Sequence, residues 1–258
     1  MQTAERVSQT DRSDNFVFAR SLKAYREAAK RVGGKVLEIG TGSGYGIDII
    51  APSAESFTTI DKHRPAQQLL DLHPEIEFRQ MTVPPLAGFD DGSVDWVVSF
   101  QVIEHIADDH AFVDEIWRVL RNGGGLILTT PNRPMSLTRN PWHQREYTAD
   151  ELSDLLGGRF QSIEQLGVGG NERVAQYYGQ NRLSVARFAR WDVFDLQHRM
   201  PSWLLRLPYD VLNRWNRRRL LNQNQALTES FTADDYRLSN DTDNCYDLYF
   251  VAQKKPTK

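Results

Sequence analysis

Apolar positions along the chain follow two alternating spacings. From Asn15 to Arg31 they recur at three- and four-residue intervals (Phe18, Leu22, Tyr25, Ala29), which predicts an amphipathic helix stopped by Gly33-Gly34. Short apolar runs then alternate with helical stretches. Strands are expected at Lys35–Ile39, Ser56–Ile60, Ile76–Arg79, Val94–Phe100 and Gly125–Thr130. Between them lie a helix into Ile50, one over Pro65–Leu72 and one over Asp108–Leu120, the last broken by Asn122-Gly123-Gly124. Strand and helix patterns of these lengths, taken in turn, predict an α/β fold with a parallel sheet covered on both faces.

After Pro131 the rhythm changes. Arg133–Arg145 reads as a long loop, and Thr148 is placed to cap a short helix to Leu156. Phe160–Val168 reads as a sixth strand and Tyr246–Gln253 as the last, with a mainly helical insert over 169–232 between them. One domain with an inserted cap is expected, and residues 1–14 are expected to be mobile.

Composition changes this picture little. The 258 residues are 40% hydrophobic and 25% charged, as in an ordinary globular chain. The net charge of -3 argues against a general nucleic-acid binder. The one cysteine, Cys245, forms no internal disulfide, and the polar stretch Met1–Asn15 has no signal-peptide core. With no apolar run long enough to span a bilayer, these features point to a cytoplasmic protein.

The chemistry starts at VLEIGTGSGYG, Val36 to Gly46. A strand delivers the chain to Gly40, and Gly40, Gly42 and Gly44 leave room for a ligand close to backbone, with Thr41 among them. Tyr45 stands where a dinucleotide fold often has a third glycine, and Glu38 precedes the turn, a carboxylate that suits a cationic ligand. Asp61 ends the second strand, where an acidic side chain meets ribose hydroxyls, although a strand-end Asp can equally cap the next helix.

Together with FDDGSVDWVVSFQVIEHI (Phe89–Ile106), IWRVLRNGGGLILTTPN (Ile116–Asn132) and WHQREYT (Trp142–Thr148), these segments resemble the class I S-adenosylmethionine-dependent methyltransferases, in the branch near the ubiquinone-pathway enzymes. The resemblance implies a Rossmann-like, doubly wound, seven-stranded sheet with the last strand antiparallel. It implies S-adenosyl-L-methionine as cofactor, bound at the carboxyl ends of the strands. Glu38, Gly40, Thr41, Gly42, Gly44 and Asp61 would hold it, with Phe100 and Gln101 beside its methionine portion. Met81-Thr82 stands where the family places a glycine–aspartate pair, which implies Met81 packing on the adenine and Thr82 bonding to it.

Methyl transfer from a sulfonium needs alignment and, for some acceptors, a proton acceptor. His105 is the candidate base, with Glu104 and His143 beside it, although Glu104 and His105 can also simply anchor a helix and loop. Related O-methyltransferases carry an ExxEH arrangement, whereas Gln101 here replaces the first carboxylate. Losing that ligand argues against a metal site built from Gln101, Glu104, His105 and His143, and no metal is assigned.

The cap adds a question of partner. Asn171–Leu220 holds ten arginines against four acidic residues, with Trp191, Trp203 and Trp215 among several aromatics. Leu204-Leu205, Leu207, Val211-Leu212 and Trp215 form an apolar stripe ending in Arg217-Arg218-Arg219. Such a stretch can lie on an anionic membrane through 203–219, grip an anionic substrate, or pack as a plain lid. The sequence therefore points to a methyltransferase acting on a small or lipid-linked metabolite, with oxygen favoured over nitrogen or carbon as the atom methylated. The rivals are a small-RNA-type nucleic-acid methyltransferase and a non-catalytic S-adenosylmethionine-binding interaction module.

Overall fold

The computed structural model describes residues 11–190, 199–223 and 228–255. Five strands run parallel in the first half: β1 (Lys35–Ile39), β2 (Ser56–Asp61), β3 (Glu77–Gln80), β4 (Val94–Phe100) and β5 (Leu120–Pro131). β6 (Ser162–Gly170), β7 (Tyr236–Ser239) and β8 (Asp247–Gln253) complete a sheet of order β3-β2-β1-β4-β5-β8-β6-β7. β8 is antiparallel to both neighbours, as the family resemblance implied. The sheet has eight strands among the described residues, which corrects the expected seven. The additional strand is β7, whose Tyr236–Ser239 pairs with Gly167–Gly170 and so draws β6 two residues into the stretch assigned to the insert. Four residues are too few to show a period of two against their surroundings.

Alternate residues of the central strands feed two cores. Leu37, Val97, Leu126 and Phe250 face one layer, packed by Phe112 and Ile116 of α4 (Asp109–Val119) and Leu152 and Leu156 of α5 (Ala149–Gly157). Val36, Val98, Ile127 and Tyr249 face the other, under Phe16, Tyr25 and Ala28 of α1 (Asn15–Ala29) and Ile47 and Ile50 of the short α2 (Ile47–Ile50). The buried stripe of α1 is thus Phe16, Ala19, Ala24, Tyr25 and Ala28, shifted from the expected one, which leaves Phe18, Leu22 and Ala29 only partly buried. α3 (Gln67–Leu72) lies against the glycine turn through Leu69. Thr148 caps α5 in a full capping box with Glu151.

The insert contains α6 (Glu172–Ala189) and α7 (Ser202–Gln223). Residues 191–198, with Trp191, and 224–227 lie outside the described residues. Of the stretch 1–14, residues 1–10 also lie outside them. Arg12–Asp14, however, form a 3-10 turn with Ser13 and Asp14 buried. Arg217 of α7 donates to Asp14 at 2.6 Å, so it turns inward and leaves the expected row of three projecting arginines. Trp203, Leu207 and Val211 remain 68%, 70% and 66% exposed. No helix among the described residues is long and apolar enough to cross a membrane.

Candidate active site

The glycine turn is shaped by backbone conformation. Gly40, Gly42 and Gly44 all have positive φ (98°, 58° and 84°), a region that side chains strain. A Cβ at Gly40 would meet Val102, whereas one at Gly42 would enter open space, so Gly42 presents bare backbone to the cavity above it. The Gly42 N–H donates to Asp61 Oδ2 at 2.9 Å, and the His63 N–H donates to Oδ1 at 2.8 Å. Asp61 therefore both fixes the turn and stands at its rim.

Glu38 is set differently from the sequence expectation. It is buried below the turn, where Oε1 accepts from Tyr25 at 2.8 Å and Oε2 from Thr59 at 2.6 Å, and Thr59 also bonds Thr41. Its carboxyl does not line the cavity. Burial pushes it up to about 7, opposed by the bonds from Thr59 and Tyr25. Glu38 thus ties α1 and β2 to the turn from beneath it.

At the end of β4, Phe100 meets Tyr25 edge-on, with ring centroids 4.5 Å apart. Gln101 follows with φ 56°, the one non-glycine residue in that region among those described. Such strain persists where surrounding structure holds it, here a backbone bond to Thr129 and a side-chain bond to Thr129 Oγ1 at 3.3 Å. A 3-10 turn, Ile103–His105, then carries Glu104 and His105.

WHQREYT acts as a brace for this turn. Asp109, buried at the start of α4, accepts from Tyr147 at 2.8 Å and Arg145 at 2.5 Å. The Glu104 carbonyl accepts from Gln144 N–H at 2.7 Å, and Glu104 Oε2 accepts from Thr130 at 3.1 Å. His105 and His143 stand ring to ring, 4.9 Å apart and nearly perpendicular. The Trp142 carbonyl, 3.1 Å from His105 Nδ1, can only accept, so a neutral His105 carries its lone pair on Nε2. Asn140 Oδ1 accepts from the Trp142 N–H, which turns Asn140 Nδ2 to donate to His143 Nε2 at 2.8 Å. His143 Nδ1 then donates to Glu146 at 2.7 Å. His143 is a positioning residue in this arrangement.

Glu104, His105 and His143 have ligand atoms within 4.8 Å of one another and could converge on a divalent ion if His143 gave up Asn140. Gln101 is outside that group, its side chain engaged with Thr129. Cys245 is buried, and burial pushes its thiol up to about 12, away from nucleophilic use.

A single cavity of about 1050 Å³ joins these parts. Gly40, Thr41, Gly42, Asp61, Met81, Thr82, Phe100, Gln101, Glu104, His105 and His143 all line it, while Gly44 lies beneath. The groups suit S-adenosylmethionine: bare turn backbone, a carboxylate at the ribose position, and Met81 and Phe100 as apolar walls. Sequence reasoning missed the other walls. Val17, Arg20, Ser21 and Ala24 come from α1, Tyr209 and Arg217 from α7, and Asp247 from the start of β8. The signal for α1 was available, since polar Arg20 and Ser21 interrupt a helix face that also carries Val17 and Ala24. Nothing local marked Asp247, whereas Tyr209 and Arg217 belong to the stretch 203–219 that the sequence offered as a membrane face, a grip on an anionic substrate or a plain lid.

A methyltransferase-domain family model matches residues 37–128. An S-adenosylmethionine-dependent methyltransferase of Mycolicibacterium smegmatis is 38% identical over 174 residues, 64% of this chain and 67% of that protein. A ubiquinone biosynthesis O-methyltransferase of Alkalilimnicola ehrlichii is 32% identical over 106 residues, 39% of this chain and 43% of its own length. Among solved structures, an S-adenosylmethionine-dependent methyltransferase of Thermotoga maritima shares the fold at TM-score 0.57 and 13% identity, with 93% of this chain and 91% of that one covered.

Proposed function

Since the chain belongs to the class I S-adenosylmethionine-dependent methyltransferases, we propose that it methylates an oxygen of a small or lipid-linked metabolite, with His105 as the proton acceptor. The observation that carries this reading is the continuity of one cavity from the glycine turn to His105. When bound, S-adenosylmethionine supplies a methyl group already activated on its sulfonium. The turn backbone and Asp61 bind and orient it, and Phe100 and Met81 help to exclude water. His105, aligned by the Trp142 carbonyl and backed by His143, takes the hydroxyl proton on Nε2.

Two further points support oxygen and a lipid-linked acceptor. Over 106 residues, 39% of its length, the chain is similar to a ubiquinone biosynthesis O-methyltransferase. The same helix, α7, supplies Tyr209 and Arg217 to the cavity and exposes Trp203, Leu207 and Val211 to the outside. A membrane face through 203–219 would bring an apolar acceptor to the mouth. The net charge of -3 favours this over a small-RNA acceptor.

The test is transfer from ¹³C-methyl-labelled S-adenosylmethionine into lipid, small-metabolite and RNA fractions, with and without a chelator. An O-methyl resonance in the lipid or small-metabolite fraction, insensitive to chelation, is expected. Label on RNA or on nitrogen would overturn the acceptor reading, and loss of transfer on chelation would return Glu104, His105 and His143 to a metal role.

A further inference from the structure

The two ends of α7 are held in different ways. No residue over 202–215 is buried, whereas Asn216 and Leu220 are. The C-terminal end is fixed to the body. Asn216 accepts from Ser184 at 2.7 Å and donates to Asn181 at 2.8 Å, Arg217 pairs with Asp14, and Leu220 joins the core under α1. Pro208 interrupts the helical ladder between the two ends, because it has no N–H to offer the turn before it.

The N-terminal end is tied by polar contacts to the loop after β5. Arg139 donates to Ser202 Oγ at 2.8 Å and to the Met200 carbonyl at 3.3 Å. The Trp142 indole N–H donates to Asp210 Oδ1 at 3.1 Å, and the Arg206 guanidinium carbon lies 4.5 Å from the centroid of the same ring. Between Arg206 and Asp210, Tyr209 lines the cavity, so this end of the helix walls the side that holds His105. A segment that buries no side chain opens at low free-energy cost.

Trp142 has a further partner through its main chain. Its carbonyl is the group 3.1 Å from His105 Nδ1, and its N–H is fixed by Asn140 Oδ1 at 3.0 Å. One residue thus grips α7 through its side chain and orients His105 through its backbone. We propose that Trp142 is a positioning residue that couples closure of a lid, the N-terminal half of α7, to the alignment of His105. With the lid down, the Trp142 carbonyl holds Nδ1–H and leaves the lone pair on Nε2. With the lid up, the indole loses Asp210 and Arg206, and the carbonyl is no longer held against the ring. The base is therefore set only when the cavity is closed against water. The proposal deepens the reading of His105 as proton acceptor and rests on it.

The test uses the full chain saturated with S-adenosylhomocysteine and labelled with ¹⁵N-histidine. Amide hydrogen exchange over 202–215 reads the lid. The ring-nitrogen shifts of His105, at a pH about two units above the free imidazole value, read its tautomer. Calorimetry follows S-adenosylhomocysteine affinity, and circular dichroism the fold. Neither Trp142→Phe nor Asp210→Ala removes the Trp142 carbonyl. Each should nonetheless speed exchange over 202–215 by about ten-fold and move His105 toward the Nε2–H form, with S-adenosylhomocysteine affinity unchanged. Asp210→Asn, which keeps the accepting oxygen, should match the wild type in both. The double variant Trp142→Phe/Asp210→Ala should do no more than the larger single change, because both remove the same bond. Faster exchange with an unmoved His105 ring would make Trp142 a structural tie only, and unchanged exchange in the folded single variants would remove the lid; either result overturns the proposal. Failure of the proton-acceptor reading looks different: an active His105→Ala enzyme would withdraw the base, while the ring coupling, read without any acceptor, remained.

Discussion

The two halves of the cavity are built by different means. Over β1, β2 and β3 the wall is largely main chain, held by three glycines at positive φ and by Asp61 clasping Gly42. Over β4, β5 and β8 it is side chain: Gln101, His105, His143, Arg20, Tyr209 and Asp247, drawn from widely separated stretches. In the first half the geometry follows from a few adjacent residues. In the second each group is held by a partner elsewhere, as His143 is by Asn140 and Glu146. On the proposed reading, acceptor choice would change by substitution on the second side without disturbing donor binding.

The sharpest test of that division is His105→Ala. Turnover should fall by roughly 10²–10⁴-fold while S-adenosylhomocysteine affinity stays at the wild-type value. Activity that survives with an unchanged pH profile would remove His105 from proton transfer and make the second half purely a binding surface.

Glu38 tests the support beneath the first half. Its folded value, about 7, lies above the ordinary 4.5, so the folded state prefers the protonated form. The associated stability is full below about 4.5, is lost as pH rises through about 7, and amounts to at most about 3 kcal/mol. Urea titrations across that window should show the decline in wild type and a flatter profile in Glu38→Gln. Parallel profiles would mean that Glu38 stays ionised beneath the turn.

Asp61→Ala should weaken calorimetric binding of S-adenosylmethionine by about 1–3 kcal/mol and leave acceptor affinity alone, since it removes hydrogen bonds on one side only. Equal loss on both sides would show the halves to be coupled. The smallest effect is expected on the outer face of α7. Arg218→Ala should reduce sedimentation with anionic vesicles by about 1 kcal/mol at low salt. Arg217, paired with the buried Asp14, should matter for folding instead. No vesicle binding by the wild type would leave α7 as a wall of the cavity alone.

The same contrast explains which features are legible in the sequence. The parallel sheet, the Thr148 cap and the glycine turn rest on local patterns, the antiparallel last strand on the family resemblance, and each stands where expected. Gly40, Thr41, Gly42, Asp61, Met81, Thr82, Phe100 and Gln101 also reach one cavity. Glu38 departs from expectation because the side of β1 it faces depends on Tyr25, thirteen positions earlier, and Thr59 on β2. β7 escapes a local reading because its pairing with β6 brings together residues far apart in sequence. Asp247 is hidden within an apolar strand, where neither its pairing with Arg20 nor its place on the cavity wall has a local signature.

The place of β8 bears on how the chain becomes a protein. It fills the gap between β5 and β6, yet comes after both β6 and β7 along the chain. As a ribosome extends the polypeptide, β1 to β5 can assemble early, but the growing sheet keeps an open edge at β5 until β8 emerges. Joining the two parts then closes a long loop, which slows folding and prolongs exposure of that edge. Biosynthesis therefore completes Asp247 and its wall of the cavity last, after the glycine turn has already had the chance to form.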